Sequence, residues 1–282
     1  MDPGSRSHKL RVFLKNILFK KVKDLQLIIM DYDDNFAPVL QSPPLINWLY
    51  LRLLMRLNKE LRIGFVSGSR VDNIHRLCAW RIPFPRVYLL GESGGIEGKY
   101  SEDSALQGEA ILLMTNEEKK EIYKLIEEVF AEKGLAKFIG KGINIELDRF
   151  SMVSISCSID NLRPKFKDAT GILKTRYKQT SLGRKVYITF VSGWIDIALS
   201  SKADAVRRLV RKLGIPLKNV LVAGDAENDW GMLSLEDVIS VYTGGKVEGL
   251  PLPAKTIYTE SLNVKGMTRI LELIIRYTMS SS

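Results

Sequence analysis

The chain has 282 residues, of which 45% are hydrophobic and 26% are charged, and its formal net charge is +10 at pH 7. A chain of this length and composition buries one large core or two smaller ones, which excludes a disordered or fibrous protein. No apolar run approaches the roughly 20 residues that span a bilayer, and no signal peptide pattern is present, so we expect a cytoplasmic protein without a transmembrane segment.

Cysteine and histidine are too scarce for the sites that they usually build. The chain contains only two cysteines, Cys78 and Cys157, and two histidines, His8 and His75. Both cysteines lie in apolar segments. Neither a disulfide framework nor a zinc site of cysteine or histidine ligands is therefore expected.

The excess of basic residues leaves three classes of partner open: a nucleic-acid backbone, an anionic membrane surface and an anionic small substrate. Basic residues are most concentrated at 9–21 and 202–214. Both segments have apolar residues at helical spacing, which is typical of amphipathic surface helices. Because no RNA-binding or helix-turn-helix pattern accompanies them, solvated helix faces are favoured over nucleic-acid binding. The sequence decides neither the role of the N-terminal helix nor the oligomeric state.

The first hundred residues alternate between strand and helix patterns. Apolar runs at 25–30, 62–69 and 86–95 predict buried strands, and residues 45–60 and 70–80 have helical periodicity. A strand–helix alternation of this kind predicts a doubly wound parallel sheet. The alternation resumes late in the chain, with a helix, two strands and a final helix at 202–214, 219–225, 238–244 and 263–279.

The pattern changes in the middle third of the chain. Residues 115–134 predict a long charged amphipathic helix. Alternating apolar residues predict antiparallel hairpins over 143–150, 152–159, 185–192 and 193–200. We therefore expect an α/β core in two parts, 1–98 and 193–282, with an inserted α+β module at 99–192.

Polar residues follow the predicted core strands. Asp31 and Asp33 follow the first strand, and Ser67 follows the second. A later segment, GDAEND at 224–229, follows another buried strand. In open α/β sheets, sites form at the carboxyl ends of the strands, where these loops meet. The crowded acids are either a solvated turn or ligands of a divalent cation, because like charges repel unless a cation lies between them.

These residue types together suit phosphoryl transfer. A carboxylate is able to accept a phosphoryl group as a nucleophile, and acidic loops hold Mg²⁺ through oxygen ligands. Hydroxyl groups, backbone N–H groups and a lysine such as Lys202 stabilise the charge on the remaining phosphate oxygens.

The sequence resembles the haloacid-dehalogenase-like phosphatase superfamily. The stretch LIIMDYD resembles its nucleophile strand, FVSG its hydroxyl motif, Lys202 its lysine motif and GDAEND its metal loop. The four motifs occur in the family's order. The insertion between the third strand and the lysine resembles the subclass that carries a large α+β cap domain.

The resemblance implies a catalytic role for each matching residue. Asp31 is the implied nucleophile, and Asp33 is the implied general acid and base, which protonates the leaving oxygen and then activates water. The transferring phosphate is bound by Ser67, Gly68 and Lys202.

The resemblance also implies a Mg²⁺ site. Asp31 supplies a carboxylate ligand and Asp33 a backbone carbonyl. The second acidic loop supplies Asp225 and Asp229, and Asn228 completes the coordination shell or holds its waters.

Two residues depart from the family's pattern. After the second acid the family usually has Gly and then Thr or Val, whereas this chain has Asp34 and Asn35. Asp34 either alters metal affinity or points to solvent, and solvent is favoured. The hydroxyl loop contains both Ser67 and Ser69, of which Ser67 directly ends the strand.

The substrate is less well defined than the reaction. Stretches at 89–96 and 190–209 are most similar to archaeal phosphoglycolate phosphatases, followed by the sucrose-phosphate and mannosyl-3-phosphoglycerate types. The expectation is a Mg²⁺-dependent phosphatase that forms an aspartyl-phosphate, with 2-phosphoglycolate as the first substrate and a sugar phosphate as the alternative. A non-catalytic protein that binds nucleic acid or an anionic surface is the alternative of another class. Five cations of the inserted module either meet a substrate carboxylate or are surface charges, the latter being favoured: Arg149, Arg163, Lys165, Lys174 and Arg176.

Overall fold

The fold is taken from a computed structural model. It describes residues 24–39, 41–78, 86–100, 106–180, 186–191, 193–245, 253, 255–259 and 261–280. The basic helix predicted at 9–21 lies outside these residues. Within the described ranges, none of the helices combines the length and apolar character needed to cross a bilayer.

The strands form two separate sheets. Numbered along the chain, they are β1 (Leu27–Asp31), β2 (Arg62–Val66), β3 (Val87–Gly91), β4 (Ile96–Tyr100), β5 (Leu106–Ala110), β6 (Ile143–Glu146), β7 (Met152–Cys157), β8 (Tyr187–Val191), β9 (Trp194–Ala198), β10 (Val220–Gly224), β11 (Ile239–Tyr242) and β12 (Ile257–Tyr258). The larger, eight-stranded sheet has the order β12-β11-β10-β1-β2-β3-β4-β5. Its first six strands in this order pair in parallel, and β4 and β5 add an antiparallel edge.

Helices cover both faces of the larger sheet. The described helices are α1 (Leu45–Leu57), α2 (Val71–Cys78), α3 (Asn116–Glu132), α4 (Arg163–Tyr177), α5 (Lys202–Leu213), α6 (Trp230–Leu233) and α7 (Asn263–Ser280). Ile28 and Met30 of β1 belong to the apolar layer formed with α1, α2 and α7, whereas Leu27 and Ile29 belong to the layer formed with α5 and α6. Because alternate side chains point to opposite faces, a strand covered on both sides is apolar throughout. The predicted doubly wound α/β core is confirmed.

The smaller sheet is antiparallel and has its own apolar core. Its order is β6-β7-β9-β8. Buried residues of α3 and α4, among them Phe130 and Phe166, pack with residues of this sheet in a cluster separate from the two layers of the larger sheet. We call this unit, which runs from Met114 to Leu199, the cap. The helix α3 begins at a capping box between Thr115 and Glu118, which satisfies free N–H groups of its first turn.

The sheets divide the chain differently from the boundaries predicted at 99 and 192. Strand β5 and all of β4 extend the larger sheet, whereas β9, expected in the second core segment, pairs with β7 and β8 of the cap. Strand β5, with the sequence LQGEA, is largely exposed and lacks the apolar pattern of a buried strand. The turn before β9 is tight, with Gly193 at φ 89°. This hairpin is one unit, although the sequence-based boundary divides it.

Candidate active site

The parallel strands bring the predicted polar residues to one edge of the larger sheet. Asp31 is the last residue of β1 and lies beside Val66, the last residue of β2, so Ser67 follows at the same edge. Strand β10 pairs with β1 on its other side and ends at Gly224, directly before Asp225. The sheet register therefore places three predicted loops next to one another.

Lys202 lies between carboxylates from both acidic loops. Its Nζ atom is 2.8 Å from Oδ2 of Asp31 and 2.7 Å from Oδ1 of Asp229. All three side chains are buried, with Lys202 only 2% exposed. Lys202 is the first residue of α5, and Ser201 caps that helix in a capping box with Asp204. The helix start thus fixes where the ammonium group enters the site.

Asp229 organises the second acidic loop. Its Oδ2 atom accepts hydrogen bonds from the backbone N–H groups of Asp225 and Ala226, at 2.9 and 3.1 Å. Carboxylate oxygens of Asp31, Asp225 and Asp229 all lie within 4.8 Å of one another. A glycine is required before this loop, because a Cβ on Gly224 would lie 2.5 Å from the Asp229 side chain. The loop therefore folds closely around one carboxylate.

Burial and mutual repulsion perturb these acids. Burial, followed by the charge of Asp229, raises the pKa of Asp31 well above its usual range. The same two causes raise the pKa of Asp225 to about 7, although Lys202 opposes the shift. Burial by itself lowers the pKa of Lys202, but the carboxylates of Asp229 and Asp31 outweigh burial and raise that pKa. Ionising all three carboxylates at once would place three negative charges beside one ammonium group, and the raised pKa values of Asp31 and Asp225 reflect that repulsion.

The oxygens of this cluster fit a divalent cation. Among the described residues, the buried Oδ1 atoms of Asp225 and Asn228 have no hydrogen-bond partner. A buried polar oxygen without a partner costs free energy unless a cation or a water contacts it. Carboxylate and amide oxygens are ligands that Mg²⁺ and Ca²⁺ take. The mutual repulsion of the three carboxylates and the unpaired oxygens thus favour the cation over the solvated turn.

The carboxylate of Asp33 contacts the hydroxyl loop. Ser67 Oγ donates to Asp33 Oδ2 at 3.0 Å, and Ser69 Oγ lies 3.4 Å from the same oxygen. The backbone N–H of Ser69 donates to Ser67 Oγ at 2.9 Å. Asp33 is not among the three carboxylates that lie within 4.8 Å of one another.

The two departures from the family's pattern have local structural roles. Asp34 has φ 57°, in the left-handed region where glycine is favoured and where Asp and Asn are the most tolerated alternatives. Burial raises its pKa, and the backbone N–H of Val39 opposes that shift by donating to its carboxylate. Asn35 is fully buried, and its Nδ2 donates to Thr243 Oγ1 at 2.7 Å. Because its carboxylate accepts from Val39 and its side chain is partly buried, Asp34 does not point fully into solvent as expected.

The cap contacts this edge of the sheet through residues that the sequence did not single out as a junction. Glu92, which follows β3 and is 1% exposed, accepts hydrogen bonds from the backbone N–H of Phe150 and from the N–H and Oγ of Ser151. Arg149 Nη1 donates to the carbonyl oxygen of Gly68 at 2.7 Å. The sequence signal for this junction was a glutamate within the Gly-rich stretch after β3. Its partners could not be identified from the sequence, because they lie nearly sixty residues further along the chain.

Two other cap cations pair on the cap itself. Arg163 forms an ion pair with Asp160, and Arg176 forms one with Glu132. The side chains of Lys165 and Lys174 are exposed. For these four cations the structure agrees with the favoured interpretation of surface charge. For Arg149 that interpretation is wrong, because its side chain is buried.

A cavity of about 370 Å³ lies between the cap and the second acidic loop. Besides Lys202 and Asn228, five of its lining residues have hydroxyl side chains: Ser93, Tyr187, Thr189, Ser200 and Ser201. Arg207 also lines the cavity, where it forms an ion pair with Asp204. Small-molecule pockets typically have volumes of about 300 to 1,000 Å³, so this cavity has the size of a small ligand.

Comparison with protein families gives one partial sequence match. The model of the family described as sucrose-6F-phosphate phosphohydrolase matches residues 167–252, less than half of the chain. The matched segment contains Lys202 and the second acidic loop. A search of curated protein sequences finds no match.

Solved structures with low sequence identity have the same fold. The IMP-nucleotidase of Plasmodium falciparum has a TM-score of 0.67 at 13% identity, with 93% of this chain and 63% of that chain covered. The C-terminal domain of C. albicans trehalose-6-phosphate phosphatase has a TM-score of 0.69 at 14% identity, with 93% and 96% covered. The Aspergillus fumigatus trehalose-6-phosphate phosphatase has a TM-score of 0.59 at 15% identity, with 93% and 97% covered. This chain therefore spans less than two thirds of the Plasmodium protein but nearly the full length of the two fungal structures. The predicted resemblance to the haloacid-dehalogenase-like superfamily is confirmed by the fold and the partial family match.

Proposed function

We propose that this protein is a Mg²⁺-dependent phosphatase that hydrolyses a small phosphorylated metabolite through an aspartyl-phosphate on Asp31. The observation that carries the proposal is the buried position of Lys202 between Asp31 and Asp229, with three carboxylates within 4.8 Å. The partial match to a phosphohydrolase family and the fold shared with phosphatases support an enzyme of this class.

The proposed reaction has two steps on this chain. An oxygen of Asp31 attacks phosphorus while the bond to the leaving oxygen breaks, and Asp33 donates a proton to that oxygen. Water then attacks the phosphorus of the aspartyl-phosphate and gives a proton to Asp33, which releases inorganic phosphate and restores Asp31. The hydrogen bond from Ser67 orients the Asp33 carboxylate for both transfers.

The charged groups around Asp31 have separate tasks. Lys202 holds Asp31 in place and offers a positive charge to the phosphate, and the backbone N–H of Gly68 would donate a hydrogen bond to the phosphate. The oxygens of Asp31, Asp225, Asp229 and the Asp33 backbone would hold Mg²⁺, with Asn228 beside them. When bound, Mg²⁺ would neutralise phosphate charge and orient the phosphoryl group.

The cavity between the cap and the second acidic loop favours a sugar phosphate over 2-phosphoglycolate. Five lining side chains carry hydroxyl groups. Those of Tyr187 and Ser201 already bond Asp204, and that of Ser200 bonds Arg208, so Ser93 and Thr189 are the candidates to bond the hydroxyl groups of a sugar. The arginine in the lining is already paired with Asp204, so it is poorly placed to bind the carboxylate of glycolate. A site that hydrogen-bonds a substrate hydroxyl also rejects analogues that lack it.

The proposal is tested by release of inorganic phosphate. The panel contains p-nitrophenyl phosphate, 2-phosphoglycolate, IMP, trehalose 6-phosphate and sucrose 6-phosphate, each with Mg²⁺ or with EDTA. We expect Mg²⁺-dependent turnover that is lost in Asp31→Asn and kept in Asp168→Asn, an exposed carboxylate on the cap.

Two outcomes would change the assignment. A higher kcat/KM for 2-phosphoglycolate than for every sugar phosphate would overturn the substrate preference but keep the phosphatase. Binding of nucleic acid or anionic vesicles at physiological salt, without turnover of any ester, would favour the non-catalytic alternative.

A further inference from the structure

Arg149 is a cap residue that reaches the hydroxyl loop of the core. It lies between β6 and β7 and is 6% exposed. Its Nη1 donates to the carbonyl oxygen of Gly68 at 2.7 Å, and its Nε donates to Glu146 Oε2 at 2.7 Å. The Nη2 atom is also 2.7 Å from that Glu146 oxygen. The guanidinium is therefore held between a cap carboxylate and a core peptide group.

The backbone around Arg149 is fixed as well. Lys119 donates to the Arg149 carbonyl oxygen, and the N–H groups of the next two residues donate to Glu92 of the core. Because the backbone and the side chain are both anchored, the position of the guanidinium over Gly68 is defined by the packing of the cap on the core.

The Gly68–Ser69 peptide group connects Arg149 to Asp33. Its carbonyl oxygen accepts from Arg149, and its N–H, carried by Ser69, donates to Ser67 Oγ at 2.9 Å. Ser67 Oγ in turn donates to Asp33 Oδ2 at 3.0 Å. Since the peptide group is planar, fixing its oxygen also fixes the direction of its N–H. Hydrogen bonds in such a chain polarise and strengthen one another.

The cap also leaves little room above this peptide group. A Cβ placed on Gly68 would lie 3.1 Å from Oδ2 of the cap residue Asp196. Asp196 is itself held by Ser154 Oγ, which donates to its Oδ1 at 2.5 Å. Two cap side chains with fixed positions thus border the same peptide group.

We propose that Arg149 is a positioning residue, which acts through the Gly68–Ser69 peptide to orient Ser67 and the acid/base Asp33. The inference rests on the proposed phosphatase function for its catalytic consequence. The carboxylate of Asp33 would have the geometry for proton transfer while the cap contacts the hydroxyl loop. Arg149 would act on the proton-transfer step rather than bind the substrate.

Three variants test this role. Arg149→Met removes all guanidinium donors, and Arg149→Lys keeps a positive charge with fewer fixed directions. The control is Arg70→Met, because Arg70 also joins core to cap, through Asp148 at 3.0 Å, but does not contact the Gly68 carbonyl. Thermal unfolding verifies that each variant folds. If Arg149→Met does not fold, Arg149→Gln takes its place.

The expected kinetic signature is a dependence on the leaving group. Acid/base catalysis typically contributes about 100- to 10,000-fold, and we expect misplacement of Asp33 to cost part of that, about 10- to 100-fold in kcat on an alkyl phosphate. For p-nitrophenyl phosphate, whose leaving oxygen needs little protonation, the loss should be about 3-fold or less. KM should change little, Arg149→Lys should recover part of kcat, and Arg70→Met should resemble the wild type.

A second measurement does not depend on turnover. Amide hydrogen exchange of Ser69 should be faster in Arg149→Met than in the wild type and unchanged in Arg70→Met. Unchanged exchange at Ser69, or an equal loss of kcat on both kinds of ester, would overturn the positioning role. A wild type that hydrolyses no ester, with faster Ser69 exchange in Arg149→Met, would instead reject the proposed function and keep the structural link.

Discussion

Asp31 and Asp33 are two residues apart in the chain, but their carboxylates have different surroundings. Asp31 Oδ2 contacts Lys202 at 2.8 Å within a buried acidic cluster. Asp33 Oδ2 instead accepts from Ser67 at 3.0 Å. A carboxylate held by a cation in a cluster suits a nucleophile, whereas one held by hydroxyl groups is suited to exchange a proton. The two residues should therefore fail differently when they are changed.

We expect Asp31→Asn to abolish turnover on every ester, because it removes the attacking oxygen. Asp33→Asn keeps the nucleophile but cannot transfer a proton, a loss of typically about 100- to 10,000-fold. That loss should be largest for alkyl phosphates and smaller for p-nitrophenyl phosphate. Rates of phosphate release on both kinds of ester at saturating Mg²⁺ measure the difference. Substantial activity of Asp31→Asn on the activated ester, with none for Asp33→Asn, would reverse the two assignments.

Asp225 predicts how Mg²⁺ should stabilise the protein at different pH values. Burial and the charge of Asp229 raise its pKa from 3.8 to about 7 in the folded protein. The folded protein thus binds this proton more tightly than the unfolded chain does. Its contribution to stability is fully present below pH 3.8 and is lost as the pH rises to about 7. A cation bound to the ionised carboxylates should offset the loss, since it stabilises only the folded state.

The expected result is a Mg²⁺-induced rise in unfolding temperature that grows between pH 5 and about pH 8, when compared with EDTA at each pH. Asp225→Asn is the control. It should flatten the pH dependence in EDTA and reduce the gain from Mg²⁺. A gain from Mg²⁺ that is equal at all pH values, or unaffected by Asp225→Asn, would contradict this assignment of the cation site.

Two glycines within secondary-structure elements differ in whether their position requires glycine. Gly224 ends β10, and a Cβ there would lie 2.5 Å from the Asp229 side chain. Gly171 lies inside α4 and is exposed, with no neighbouring atom within 4 Å of an added Cβ. The first position needs glycine for the close approach of a loop, whereas the second gains nothing from it.

Gly224→Ala should displace Asp229 from Lys202 and from the backbone N–H groups that it accepts. We expect a loss of phosphatase activity and of the Mg²⁺-induced stabilisation, together with reduced stability. Gly171→Ala should raise the free energy of unfolding by about 0.5 to 1 kcal/mol, because alanine favours a helix over glycine, with unchanged activity. Urea unfolding and phosphate release measure both effects. Wild-type activity in Gly224→Ala would show that the contact with Asp229 is not required.

The strands that could be predicted from the sequence are those whose burial requires a recognisable apolar pattern. Strands β1, β2 and β10 have four or five buried residues each, which requires nearly continuous apolar runs. Strand β5 at the sheet edge is largely exposed, and β12 has two residues, so neither imposes a recognisable pattern. The acids and Lys202 could be predicted because they follow or precede such elements in a fixed order. Glu92, Arg149 and Asp196 could not, because their partners are set by how the cap packs on the core.

At the scale of the whole molecule, the site depends on two units with separate cores. The larger sheet supplies the acidic cluster, and the cap has its own apolar cluster around Phe130 and Phe166. The two units meet through hydrogen bonds of Glu92, Arg149 and Arg70. Strand β8 of the cap also lies near the second acidic loop, and Tyr187 bonds Asp204. Polar interfaces between domains permit relative motion more readily than large apolar ones. We therefore expect the junction between the two units to open without unfolding of either core.

Glu92→Ala is expected to loosen the junction without unfolding either unit. The change removes the acceptor for the N–H groups of Phe150 and Ser151. Hydrogen bonds to a charged group contribute about 1.5 to 3 kcal/mol, and each 1.4 kcal/mol is tenfold in an equilibrium, so amide exchange at these two residues should be about 10- to 100-fold faster. Exchange at buried amides of β1 and β7 should change much less, because opening of the junction leaves both sheets paired.

The matched control is Glu97→Ala, since Glu97 is a buried glutamate that pairs with Lys212 inside the core unit. If Glu92→Ala accelerated exchange equally throughout both sheets, the cap and the core would unfold as one cooperative unit, and the separation of junction from core stability would be wrong.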